Sequence, residues 1–314
     1  MKKIKMMLIG GLALLIMVFV FGSLLYPDLA RSIGTKKYEP YVGEQVYGKY
    51  NKVIASRKDC FGFLTLNNAK EGNIYDMDMM KEIVSAAKEM DADDKVIIII
   101  MNAAGKDFSL GIDYRTIPTN PEGAARFFGD FAANAAGLAT LSKPVITAVH
   151  GRAYAGGSAL ALGTTDLAVL SEDARVGKSA ITLGLTCAAG FKNEAAVVGP
   201  LKAKEYILTG LDIDPHELLR FGFANRVVPL EKLNEETLKL AKVIASRSWP
   251  MIKASKKTFV ETANMAPGQA WKYGLEKLVA PLVATEDFKL AIETVWTEKF
   301  WKGDTTPVVK WKNR

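Results

Sequence analysis

Lys143-Pro144-Val145-Ile146-Thr147-Ala148-Val149-His150-Gly151-Arg152-Ala153-Tyr154-Ala155-Gly156-Gly157 is the stretch of this chain that decides its architecture. Residues 145–149 are apolar apart from Thr147 and mostly β-branched, the pattern of a strand covered on both faces in a parallel sheet. The glycines at 156 and 157 then open a helical stretch. Upstream, residues 96–101 form a second apolar run, β-branched except for Met101, and residues 121–141 between the two runs read as a helix of small residues. A third apolar strand is expected at residues 167–170. Before these, residues 53–66 alternate imperfectly and fit one or two short strands, closed by a turn at residues 67–73. Asp76 can cap the next helix, in which Met80, Ile83, Val84 and Ala87 recur at helical spacing. Past Pro200 the strand signal fades and helical patterns take over. Strands alternating with helices predict an α/β domain beginning near Asn51, with right-handed crossovers and a helical C-terminal region.

Composition limits the function. The 314 residues are 49% hydrophobic and 24% charged, which excludes a disordered tail, a collagen and a disulfide scaffold. Cys60, Cys187, His150 and His216 are the complete set of thiols and imidazoles, so no zinc cluster and no metal site is expected. The net charge of +7 suits an anionic partner, but no nucleic-acid motif accompanies it. The glycine pair invites a phosphate-cradle reading, yet neither a lysine-containing P-loop nor a dinucleotide fingerprint is present.

Charge and hydropathy are unevenly spread. A basic head, Met1-Lys2-Lys3-Ile4-Lys5, precedes about twenty uncharged, mostly apolar positions, the length that spans a bilayer. Residues 1–27 are therefore expected to be a membrane anchor or signal segment, an uncleaved anchor being preferred, with residues 28–50 a linker. The side of the membrane is left open, because Lys2, Lys3 and Lys5 are balanced by Arg31, Lys36 and Lys37. Residues 303–314 form a basic tail in which Lys310, Trp311, Lys312 and Arg314 either touch anionic headgroups or are solvated.

Four segments, in order and spacing, resemble the crotonase family, also called the enoyl-CoA hydratase and isomerase family. They are Lys106-Asp107-Phe108-Ser109-Leu110-Gly111-Ile112-Asp113, the 143–157 stretch quoted above, Ala174-Arg175-Val176-Gly177 with Leu183-Gly184-Leu185, and Gly222-Phe223-Ala224-Asn225-Arg226-Val227-Val228-Pro229. The resemblance runs from about Val53 to Lys302, within a domain expected to span residues 51–302. It implies a spiral of ββα units with a helical C-terminal oligomerisation region that builds a homotrimer or hexamer, and an acyl-CoA thioester as ligand with no tightly bound cofactor. It also implies that two backbone N–H groups, of Ile112 and Gly156, form an oxyanion hole. Preorganised amides aimed at developing negative charge contribute about 10²–10³ in rate each.

The resemblance further places CoA contacts at Lys106, Tyr114 and Arg115. Where hydratases of the family carry two glutamates, this chain has Ala159 and Ala180, and alanine cannot transfer a proton. Ordinary hydration is not expected. Isomerisation or decarboxylation by an atypical enzyme, thioester binding without turnover, and a non-catalytic scaffold in a membrane-associated assembly remain as readings. Tyr154, Ser158, Lys178, Thr182, Thr186 and Cys187 are the polar side chains close enough in sequence to stand in. His150 reads as a hydrogen-bonded structural histidine, His216 as an exposed residue in the first turn of a helix, and Lys178 as a surface lysine.

Overall fold

A computed structural model of the chain describes residues 38–186, 191–296 and 310–312. The centre of the fold is a seven-stranded sheet in the order β1-β2-β3-β4-β5-β7-β10. Its strands are β1 (Gln45–Val46), β2 (Val53–Lys58), β3 (Phe61–Leu66), β4 (Ile98–Ala103), β5 (Val145–Val149), β7 (Leu167–Ser171) and β10 (Arg226–Val228). The first two pairings are antiparallel, and β3, β4, β5, β7 and β10 run parallel. Both apolar runs read as doubly covered strands lie in the middle of this sheet, and every residue of β4 and β5 is buried. Helix α1 (Met77–Ala92) buries Met79, Met80, Ile83, Val84, Ala87 and Met90 against one face, and its cap Asp76 accepts a hydrogen bond from Met79 N. Helix α2 (Leu233–Ala245) covers the other face through Leu233, Ala241 and Ala245.

A second, three-stranded sheet, β6-β8-β9, pairs β6 (Arg152–Tyr154) in parallel with β8 (Arg175–Gly177), which is antiparallel to β9 (Asp212–Ile213). Strands β5 and β7 in the large sheet are each followed at once by a strand of the small one, β6 and β8, and then by helical turns. This is the expected repeat of two strands and a helix. Helices α3 (Trp249–Thr262), α4 (Pro267–Tyr273) and α5 (Glu286–Ala291) form the C-terminal region, as the fading of the strand signal beyond Pro200 predicts.

Three expectations change. The membrane-anchored localisation is corrected: among the described residues no helix is long and apolar enough to cross a bilayer, and the run at residues 6–26 that suggested one lies outside them. Residues 38–50, expected to be part of a linker, pack on the domain. Tyr38 is buried and bridges to Gly105, and β1 adds to the sheet edge, so residues 38–50 belong to the folded domain. Aromatic side chains supply the reason, because Tyr38 stacks on His150 and Tyr41 on Phe63. In the C-terminal tail, Trp311 Nε1 donates to the Ser246 carbonyl at 2.7 Å and Lys312 N to Asp287 Oδ1 at 2.7 Å, so this part is docked on the domain.

Candidate active site

Two segments distant in sequence are zipped together beside the small sheet. Phe108 N donates to the His150 carbonyl (3.1 Å), Ser109 N to that of Arg152 (3.0 Å), and Tyr154 N to that of Ser109 (2.9 Å). The buried Asp107 accepts from Arg152 Nε at 2.7 Å and, through its other oxygen, from Arg152 Nη2 at 2.8 Å, with the Arg152 amide also bound at 3.2 Å. Burial alone would raise the Asp107 pKa, but the guanidinium's hydrogen bonds and charge outweigh it and hold the carboxyl below its ordinary range. Asp107 and Arg152 thereby clamp the loop that carries Ile112 onto the strand that leads to Gly156.

Glycine makes the closest approach feasible. Gly111 has φ +100°, and a Cβ there would lie 2.8 Å from the Tyr154 carbonyl oxygen and 3.1 Å from Gly156 N. A Cβ on Gly157 would lie 2.2 Å from the Ser109 carbonyl oxygen. Tyr75 N donates to the Gly111 carbonyl and Asp113 N to the Tyr75 carbonyl, both at 2.9 Å, in a parallel bridge centred on Ile112. Because such a bridge uses the groups on either side of its central residue, the N–H of Ile112 itself faces away from Tyr75.

Gly156 is oriented by Ala155, a non-glycine residue at φ 47° and ψ −116° that costs on the order of 1–3 kcal/mol. The ψ of Ala155 sets the plane of the peptide that bears the Gly156 N–H, and Ala155 N is tied to the Gly177 carbonyl at 2.9 Å. The helix that follows has only three α-helical residues, Gly156–Ser158, before a π-helical turn, Ala159–Gly163. Helical backbone therefore continues behind Gly156 only as far as Gly163.

The structure thus brings Ile112 and Gly156 together. The Ile112 side chain lies over the glycine, its Cγ1 2.9 Å from where a Cβ would stand. Ala159 lines a cavity of about 410 Å³ with Ser158, Lys178 and Glu194. Ala180 is buried on the turn that follows Lys178. Of the flanking candidates, Arg115 is exposed and spends its guanidinium on Asp113, with Nε–Oδ1 and Nη2–Oδ2 both 2.8 Å. Lys106 and Tyr114 are half-buried nearby.

The polar alternatives divide sharply. Tyr154 Oη binds Asp212 (2.7 Å), and Ser158 Oγ binds the Ala155 carbonyl (2.7 Å). Thr182 and Thr186 are exposed, and Cys187 lies outside the described residues. Lys178 departs from the surface reading: it is buried, with Nζ 2.5 Å from Glu194 Oε1. His150 is buried, its Nε2 3.0 Å from the Gly105 carbonyl, a structural setting rather than a basic one, and burial pushes its pKa down to about 4. His216 is exposed.

Sequence reasoning missed Glu194, whose second oxygen is buried with no hydrogen-bond partner among the described residues, and Tyr75, whose hydroxyl sits at Gly156. Nothing local marks Glu194. Tyr75 could have been found only by knowing that it pairs with Ile112.

A strained turn thus sets the Gly111–Ile112 backbone against Gly156 on an α/β fold, and the cavity that begins at Ser158 and Ala159 holds a buried charged pair. Comparison narrows the class. The family model of enoyl-CoA hydratase/isomerase matches residues 57–301, and the chain belongs to that family. It is similar to a probable enoyl-CoA hydratase from Rhizobium meliloti, 32% identical over 241 residues that cover 76% of this chain and 93% of the relative. It is also similar to a short-chain-enoyl-CoA hydratase from Clostridium acetobutylicum, 32% identical over 66% of this chain and 80% of the relative. Among solved structures, human enoyl Coenzyme A hydratase domain-containing protein 3 superimposes with a TM-score of 0.74 at 26% identity, covering 82% of this chain and all of that one (100%).

Proposed function

We propose that this protein binds an acyl-CoA thioester with its carbonyl oxygen between the amides of Ile112 and Gly156, and that it catalyses isomerisation or decarboxylation through an enolate rather than ordinary hydration. The observation that carries the reading is the clamped approach of the Gly111–Ile112 turn to Gly156, which only glycine at 111 permits. Two amides held by Asp107, Arg152 and the strained Ala155 need no reorganisation when negative charge develops on the thioester oxygen. Ala159 and Ala180 leave no carboxylate at the two positions where hydratases of the family activate water. Lys106, Tyr114 and Arg115 are the proposed CoA contacts, with Lys106 and Arg115 offering charge to phosphate.

A homotrimer or hexamer built through the C-terminal helices accompanies this reading. It is supported by Phe259 and Trp271, large apolar side chains 80% and 76% exposed on α3 and α4 of that region. A scaffold without turnover is the second reading, favoured by the Ile112 side chain over Gly156.

Calorimetry against a panel of short- and long-chain acyl-CoAs decides between them. Binding on the order of micromolar Kd, with no conversion of crotonyl-CoA at enzymatic rates, is expected. Absence of binding across the panel would leave the scaffold, and rapid hydration of crotonyl-CoA would overturn the proposed chemistry.

A further inference from the structure

Tyr75 precedes the helix cap Asp76, and its backbone forms the bridge to Ile112. Residues directly opposite in such a pair carry their side chains on the same face. Here both reach one glycine: a Cβ on Gly156 would lie 2.6 Å from Tyr75 Oη and 2.9 Å from Ile112 Cγ1. The phenol ring is fixed, being 3% exposed and packed on Phe131 with centroids 5.4 Å apart. Among the described residues no hydrogen bond to its hydroxyl is found, whereas a buried tyrosine O–H ordinarily has an acceptor. Burial, and secondarily the neighbouring Tyr114, pushes the phenol pKa upward, so the group stays a neutral donor at physiological pH.

We propose that the Tyr75 hydroxyl is a third hydrogen-bond donor to the acyl oxygen held by the Ile112 and Gly156 amides, an inference that rests on the thioester-binding reading above. Neither alanine at 159 or 180 can offer such a bond, and tyrosine side chains serve in oxyanion holes by this means. The hydroxyl donates and keeps its proton, so no bond is made or broken at Tyr75.

Tyr75→Phe removes one oxygen and keeps the ring against Phe131. The full chain and the variant are titrated with butyryl-CoA and with S-butyl-CoA, the thioether that lacks the acyl oxygen. The variant is expected to bind the thioester about three- to tenfold more weakly and the thioether as wild type does. The carbonyl stretch of bound ¹³C-labelled thioester should move toward its free value. Equal loss for both ligands would assign Tyr75 a packing role, and no loss for either would overturn the proposal alone. Wild-type protein that binds no thioester would sink the functional reading and this inference together. Should the variant fail to fold, wild-type chain labelled at tyrosine Cζ must show a resonance shifted by the thioester and not by the thioether, and identical spectra would refute the donor.

Discussion

Removal of the Asp107–Arg152 clamp offers the sharpest test of how the candidate site is held, because its two halves should fail unequally. Asp107 is 4% exposed, and its two oxygens accept three N–H groups of Arg152 at 2.7, 2.8 and 3.2 Å. The Arg152 side chain is 30% exposed and can turn to water once freed. Asp107→Ala should therefore cost about 2–3 kcal/mol, below the usual range for a broken buried pair. At about 2–4 °C per kcal/mol, that lowers Tm by roughly 4–12 °C. Arg152→Met leaves a buried carboxylate without its cation and should cost about 3–5 kcal/mol.

The pH dependence separates the two further. In the wild type the Asp107 pKa is lowered, so its contribution is present above the unfolded value of about 3.9 and is lost as pH falls through the folded value. In Arg152→Met, burial without the guanidinium raises the same pKa, so the penalty is full at neutral pH and shrinks as acid protonates the carboxyl. Urea unfolding of wild type and both variants between pH 3 and 8 measures this. A larger loss for Asp107→Ala than for Arg152→Met, or a penalty in Arg152→Met that grows on acidification, would refute the reasoning.

His150, held neutral with its pKa at about 4, takes up no proton between pH 6.5 and 4 while the unfolded chain does, so stability should fall by up to about 3 kcal/mol across that window. His150→Gln should flatten the slope of urea midpoint against pH, and an unchanged slope would show that other groups carry it. Gly157→Ala drives a methyl group to 2.2 Å from the backbone oxygen of Ser109, which cannot yield, and should cost at least the upper end of about 1–3 kcal/mol. Gly268→Ala, with no heavy atom within 4 Å, is its neutral control, and equal Tm values for the two variants would contradict the packing argument.

Much of the architecture is legible in the chain. The apolar, β-branched runs at residues 96–101 and 145–149 read as buried strands, and the Met80, Ile83, Val84 and Ala87 spacing as one helix face, because side-chain pattern is a local property of the backbone. The motif residues Gly111, Ile112, Gly156 and Gly157, with the alanines at 159 and 180, were likewise in plain view. Three-dimensional packing decided the rest. It placed Tyr38 against His150, docked Trp311 on Ser246, buried Lys178 against Glu194, and set the hydroxyl of Tyr75 beside Gly156. Each of these joins residues well separated along the chain. No local pattern records such a pairing, since the partner is chosen by which surfaces the strands and helices bury against one another.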